Sequence, residues 1–186
     1  MNMKQRLFTS LLILFAISFN QLPAQEVTNV PNIPVDPDSH KIQYREVVEE
    51  QGDPGYLYNK AMEWFNYYYT NPTSIFSIQD KVNGKIEGIA RIPIYYTDEH
   101  GTRNNAGLIQ YTIRLEFKDN RYRYTLTDFI LKGASRFPIE KWLNTEDQAF
   151  NPQWNNYLYQ VDTTMQRLTS TLIEKMKPVE VKTDEW

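Results

Sequence analysis

Two short stretches gather the residue types that bind cations or move protons. Asp36, Asp38 and His40 alternate ahead of the first hydrophobic run, and Asp98, Glu99 and His100 are consecutive. Carboxylate oxygens and imidazole nitrogens can hold a divalent ion. Neither stretch has the spacing of a recognised metal loop or a glycine at the EF-hand position, so both are read as solvated loop charges. No metal and no cofactor is expected. Ser39 adjoins His40 but lies among prolines, and no G-x-S-x-G turn exists to present a nucleophile. Glu46, Glu49, Asp80, Glu87, Glu116 and Asp128 could supply a carboxylate pair, but acid–base hydrolysis needs a set separation that spacing alone does not give. No catalytic residue is assigned.

Aromatic side chains are the other chemical resource, with 13 Tyr, 9 Phe and 4 Trp. Trp64, Phe65, Tyr67, Tyr68 and Tyr69 crowd one segment. Helical geometry lets Trp64, Phe65 and Tyr68 share a core face, which turns Tyr67 and Tyr69 elsewhere. Tyr95 and Tyr96 close a long strand, and His100, Arg103, Asn104 and Asn105 populate the polar loop Thr97–Gly107. Exposed tyrosines beside a polar loop suit recognition of a glycan or peptide. Tyr67, Tyr69, Tyr95, Tyr96, His100, Arg103 and Asn104 are therefore the candidate ligand-binding residues.

These residues must be held by elements that the hydrophobic pattern marks out. Ile42–Glu49 reads as a first strand with a fault in its alternation. Asp53 can cap a helix that begins at Pro54, with Leu57, Ala61, Trp64, Phe65 and Tyr68 on one face and Asn71-Pro72 as its stop. Two hairpins follow. In the first, Ile75–Lys81 returns as Lys85–Tyr96; a three-residue loop Val82-Asn83-Gly84, with Gly84 left-handed, pairs Ile78 with Gly88 and Phe76 with Ala90. That register is preferred to a two-residue Asn-Gly turn because it puts Ile86, Gly88, Ala90, Ile92 and Ile94 on the face of Ile78 and Phe76. In the second, Asp119-Asn120 turns the chain so that Phe117, Leu115 and Ile113 oppose Tyr122, Tyr124 and Leu126. Asp128 then falls opposite Tyr111 on the buried face. Arg114, Glu116, Arg123, Thr125 and Thr127 occupy the other face. Leu158, Val161, Met165, Leu168, Leu172 and Met176 recur at three and four residues, a long amphipathic helix ended by Lys177-Pro178. The order β-α-β-β-β-β-α predicts an α+β two-layer sandwich, an antiparallel sheet with two helices on one face.

The first 25 residues carry an address. Lys4 and Arg6 precede the apolar run Leu7–Phe19, and Ala24 stands before Gln25. This is the pattern of a secretory signal peptide, too short for a membrane span of about 20 residues. The expected organisation is a signal peptide at 1–25, a Pro-rich linker at 26–40, one domain at 41–178 and a frayed tail at 179–186. Export to the periplasm, outer membrane or medium follows, with no membrane span after cleavage. Removing Lys4 and Arg6 takes the formal charge from −3 to −5. A polyanion is repelled by such a chain, so no nucleic-acid partner is expected. There are no cysteines, which excludes disulfide staples and thiol chemistry.

Leu57-Tyr58-Asn59-Lys60-Ala61-Met62-Glu63-Trp64-Phe65, Gln79-Asp80-Lys81, Gly84-Lys85-Ile86-Glu87-Gly88, Tyr111-Thr112-Ile113 and Arg121 to Phe129 together resemble domain-of-unknown-function family 4468, secreted Bacteroidota proteins with a TATA-binding-protein-like (TBP-like) fold. The resemblance covers about residues 45–132. It implies an exported α+β domain and supplies no catalytic residue and no ligand; the DNA binding of the fold's namesake does not transfer with the fold. The combined reading is a non-enzymatic binding or structural module of the cell envelope with a glycan or protein partner. The alternative is an envelope glycan or peptide hydrolase using acidic residues.

Overall fold

The computed structural model describes residues 31–133 and 135–178. The expected signal peptide and frayed tail lie outside the described residues. Strand β1 runs from Tyr44 to Glu49. The fault in its alternation is Val47, which turns outwards while Tyr44 faces the core.

Helix α1, Pro54–Tyr68, begins as its sequence requires. The Asp53 side chain accepts from the Tyr56 amide at 2.8 Å, with Pro54 in the first turn. Leu57, Ala61, Trp64 and Phe65 are buried beneath it. Strands β2 (Phe76–Asp80), β3 (Lys85–Thr97), β4 (Arg103–Lys118) and β5 (Arg121–Leu131) follow as a meander. A two-residue β6, Phe137–Pro138, then pairs with the end of β5, an element the hydrophobic pattern does not reveal. Helix α2 spans Gln153–Met176 and buries Leu158, Val161, Met165, Leu168, Leu172 and Met176. The sheet order is β1-β5-β4-β3-β2, antiparallel throughout, with both helices contributing to one core against one face. The two-layer α+β sandwich is the observed architecture.

The second hairpin has the expected register: Phe117, Leu115 and Ile113 oppose Tyr122, Tyr124 and Leu126. All six are buried, and each such pair contributes about 0.2–1 kcal/mol. The first hairpin differs. Asp80 pairs with Lys85, so the connection is the four residues Lys81–Gly84 rather than three. The Asp80 carboxylate accepts from the Asn83 amide and side chain at 3.0 and 2.7 Å, which stabilises the longer turn, and Gly84 adopts φ 61°. Ile78 consequently opposes Glu87 on the outer face. A register shift between Phe76 and Ile78 then places Phe76 opposite Gly88, not Ala90, and returns it to the core against Phe65. Gly88 is required there: a Cβ would lie 2.9 Å from the Ile75 carbonyl oxygen.

The described part of the expected linker is a folded turn. Val35 bridges Ile42, Ile33 is buried, and Asp36 accepts from the Ser39 amide and hydroxyl at 2.8 and 2.7 Å. An aspartate able to satisfy its own turn outweighs the extending effect of the neighbouring prolines.

Candidate functional site

Asp128 is the largest departure from the alternation of the sheet. Thr112 pairs with Thr127 and Gln110 with Ile130, so Asp128 and Phe129 together oppose Tyr111. This two-against-one bulge puts Asp128 at φ 56°, a left-handed conformation uncommon for a non-glycine residue. The expectation that Asp128 sits on the buried face is corrected. Burying an unpaired carboxylate is costly, and the bulge instead sends Phe129 inwards, where it stacks on Tyr111 at 5.6 Å. Asp128 is sent outwards to accept from Lys41 Nζ at 2.6 Å. The carboxylate holds the Lys41 ammonium above its ordinary range.

That bulge sits on the sheet face that neither helix covers. Cross-strand rows there read Arg45–Thr125–Arg114–Glu87 and Val47–Arg123–Glu116–Lys85. Arg114 Nε donates to Glu87 at 2.8 Å, and Arg123 donates to Glu116 at 2.6 and 2.9 Å. The hydrogen bond from Arg114 lowers the Glu87 carboxyl below its ordinary range and raises Arg114. Across the five long strands the outer face carries the cations Arg45, Lys85, Arg91, Arg114, Lys118, Arg121 and Arg123 together with the carboxylates Glu49, Asp80, Glu87, Glu116 and Asp128. It is therefore a locally positive face on an acidic chain, though its cations alternate with carboxylates. Ile89, Leu108 and Val47 stand exposed among them. Around the bulge, Lys41, Ile89, Gln110, Thr112, Asp128 and Ile130, with Arg136, Pro138 and Glu140, line a groove of about 450 Å³.

The residues read from the sequence as ligand-binding do not form one surface. Arg103, Asn104 and Asn105 are not in a loop: they pair with Thr97, Tyr96 and Tyr95 as the start of β4. The connection shrinks to residues 98–102, where Asp98 accepts from the His100 and Thr102 amides and from Asn104, bonds that lower its carboxyl. Arg103 lies 3.7 Å over the Tyr95 ring. His100 is solvated and sits 3.6 Å from Glu99. Tyr96 is exposed. Tyr67 is exposed near the end of α1, where Lys175 of α2 lies 4.4 Å from its ring. Gln160 of α2 clamps Tyr95, accepting from its amide at 3.0 Å and donating to its carbonyl at 2.7 Å. Gln160 and Lys175 are 15 residues apart, about 22 Å along the helix, so Tyr67 is far from the Tyr95–Asn104 group. Tyr69 is turned inwards rather than out. It is the extended cap of α1, released from helical geometry, and its ring stacks on Phe65 while its hydroxyl meets that of Tyr111 at 3.0 Å. Burial raises both phenols.

Among the described residues, no three His, Cys, Asp or Glu side chains cluster as a metal site. Asp36 and Asp98, the centres of the two acidic stretches, are each occupied by the amides of their own turn. Sequence reading missed the Lys41–Asp128 pair and the Gln160 clamp, both of which join residues distant in the chain. A buried link from Tyr44 to Asp162 at 2.8 Å did leave a signal: Asp162 lies inside the apolar stripe of α2, between Leu158 and Met165.

A meander of this order, packed under two helices, defines an α+β domain of the TBP-like class. Residues 44–132 match the model of a domain of unknown function, DUF4468, with TBP-like fold, and this segment, from β1 to the end of β5, belongs to that family. The chain is similar to the crystal structure of a TBP-like protein from Parabacteroides distasonis ATCC 8503, at 15% identity and TM-score 0.54, over 75% of this chain and 96% of that one. It is likewise similar to that of a DUF4468 family protein from Bacteroides ovatus ATCC 8483, at 15% identity and TM-score 0.56, over 76% and 90%. At such identity the likeness is one of fold. No curated protein matches the sequence. No helix among the described residues is long and apolar enough to cross a membrane.

Proposed function

We propose that this protein is an exported, non-enzymatic recognition module of the cell envelope and that it engages its partner through the outer face of the sheet. The observation that carries this is the uncovered face itself: exposed Ile89, Leu108 and Val47 set among cations and carboxylates, on strands held rigid by a core of aromatic pairs. A rigid scaffold with an exposed mixed surface suits binding. The strand edges suit it less. Beyond β2 the open edge of β3 is interrupted by Pro93, which has no donor, and by the Gln160 clamp.

The hydrolase alternative has less support. A general acid needs a raised carboxyl, whereas Glu87 is lowered by Arg114, and Glu116 is tied to Arg123. Nucleic acid is disfavoured by the net charge and by the carboxylates that break up the positive rows. Export rests on the basic and apolar pattern of Lys4 to Gln25.

The test has two arms. Mass spectrometry of fractionated cells is expected to find the protein in periplasm, outer membrane or medium, beginning near Gln25. Arg91→Glu combined with Leu108→Asp, both on the outer face, is expected to abolish capture of envelope material while Tyr159→Ser on α2 leaves it intact. Cytoplasmic protein with Met1 retained, or capture indifferent to the outer-face changes, contradicts the proposal.

A further inference from the structure

We infer that the groove at the Asp128 bulge is a binding site for one neutral sugar unit of an envelope glycan. This deepens the envelope-module reading and rests on it.

The groove is built rather than incidental. Its rim depends on a left-handed aspartate in the middle of a strand, a conformation that persists only where the surroundings over-determine it. The bulge brings the Asp128 carboxylate beside the Lys41 ammonium, at 2.6 Å, on the exposed face. Arg136, which is exposed, and Glu140, whose Oε1 accepts from the Ile42 amide next to Lys41 at 3.0 Å, also line the groove. Gln110 and Thr112 line it beside their cross-strand partners Ile130 and Ile89. A volume of about 450 Å³ is within the usual range for small-ligand sites.

The balance of charge selects the ligand class. Lys41 and Arg136 offset Asp128 and Glu140, so a free anion or cation gains no net attraction. The same four groups, with the Gln110 amide and the Thr112 hydroxyl, alternate donors with acceptors. Each sugar hydroxyl needs both, since it donates one hydrogen bond and accepts others. Hydrogen bonds to charged groups are the stronger kind, and Ile89 and Ile130 offer apolar contact to the C–H face of a ring.

The test is a titration of the purified, uniformly ¹⁵N-labelled mature protein with methyl glycosides of glucose, galactose, mannose, xylose and N-acetylglucosamine, followed by amide chemical shifts. Glucuronate and glucosamine serve as charged comparators. At least one neutral glycoside is expected to move the amides of Gln110, Thr112 and Ile130, and to bind more tightly than either charged sugar. Asp128→Gly relieves the left-handed strain and removes the carboxylate; Arg136→Ala removes a lining cation that lies outside the long strands. Each is expected to keep a dispersed spectrum and to weaken binding about tenfold or more. The inference is overturned if no neutral glycoside moves these amides, if a charged sugar binds best, or if both variants bind undiminished. Those outcomes leave the export and outer-face tests untouched, so the two failures are distinct.

Discussion

The Tyr44 hydroxyl donates to the buried carboxylate of Asp162 at 2.8 Å, and this bond joins edge strand β1 to the middle of α2 across 118 residues of chain. Gln166 donates to the other carboxylate oxygen at 2.7 Å. Desolvation and the facing carboxylate both raise the Tyr44 phenol, so it remains a donor throughout the physiological range. Tyr44→Phe removes the donor and leaves Asp162 under-satisfied, at an expected cost of about 1–3 kcal/mol. Tyr44→Phe combined with Asp162→Leu is expected to recover much of that loss, since removing both partners spares the desolvation penalty. Urea denaturation of the three proteins measures it.

Trp64 is almost fully buried, stacks on Tyr68 at 5.3 Å and donates to Thr171 at 3.3 Å. Trp64→Ala is expected to cost about 3–5 kcal/mol. Arg123→Ala, on the outer face, loses a half-exposed ion pair with Glu116, for which about 0.2–1 kcal/mol is expected. Equal losses in the same titrations would mean that the two faces of the sheet are assigned wrongly.

Glu87 gives stability a pH dependence of defined sign. Its folded carboxyl titrates below the ordinary value of 4.5, chiefly through the hydrogen bond from Arg114. The unfolded chain therefore holds the proton more tightly. The contribution of Glu87 is complete above the unfolded value and is lost as pH falls through the lower folded value. The stability difference between wild type and Glu87→Gln is expected to shrink between about pH 6 and about pH 3. A difference that is constant or grows on acidification would contradict the pairing.

Elements governed by local pattern were legible in the sequence. The Asp53-Pro54 start of α1, the apolar stripe of α2 and the alternation through Ile113, Leu115 and Phe117 each follow from one periodicity and one cap. What was not legible is where that periodicity is interrupted for reasons lying elsewhere in the chain. Alternation from Leu126 puts Asp128 inside; only the proximity of Lys41 and the need to seat Phe129 against Tyr111 explain the bulge. Helical spacing turns Tyr69 outwards, yet the helix ends one residue earlier and the partner that draws Tyr69 in is Tyr111 on β4. The Thr97–Gly107 loop looked long because Arg103, Asn104 and Asn105 are polar, whereas their pairing to β3 is set by a strand already in place. The candidate site was less legible than the fold for the same reason. The tyrosines near Asn104 and the tyrosine at the end of α1 are separated by most of the length of α2, and the outer face acquires its character only from cross-strand rows.

The most direct test of the outer face as the recognition surface is photo-crosslinking in the native host. A photoreactive residue is placed singly at Ile89 on the outer face and at Tyr159 on α2, both exposed positions. Adducts of shifted mobility formed from Ile89 and not from Tyr159, and lost in the Arg91→Glu, Leu108→Asp background, are the predicted result. Adducts from Tyr159 with none from Ile89 would place recognition on the helix layer and contradict the account.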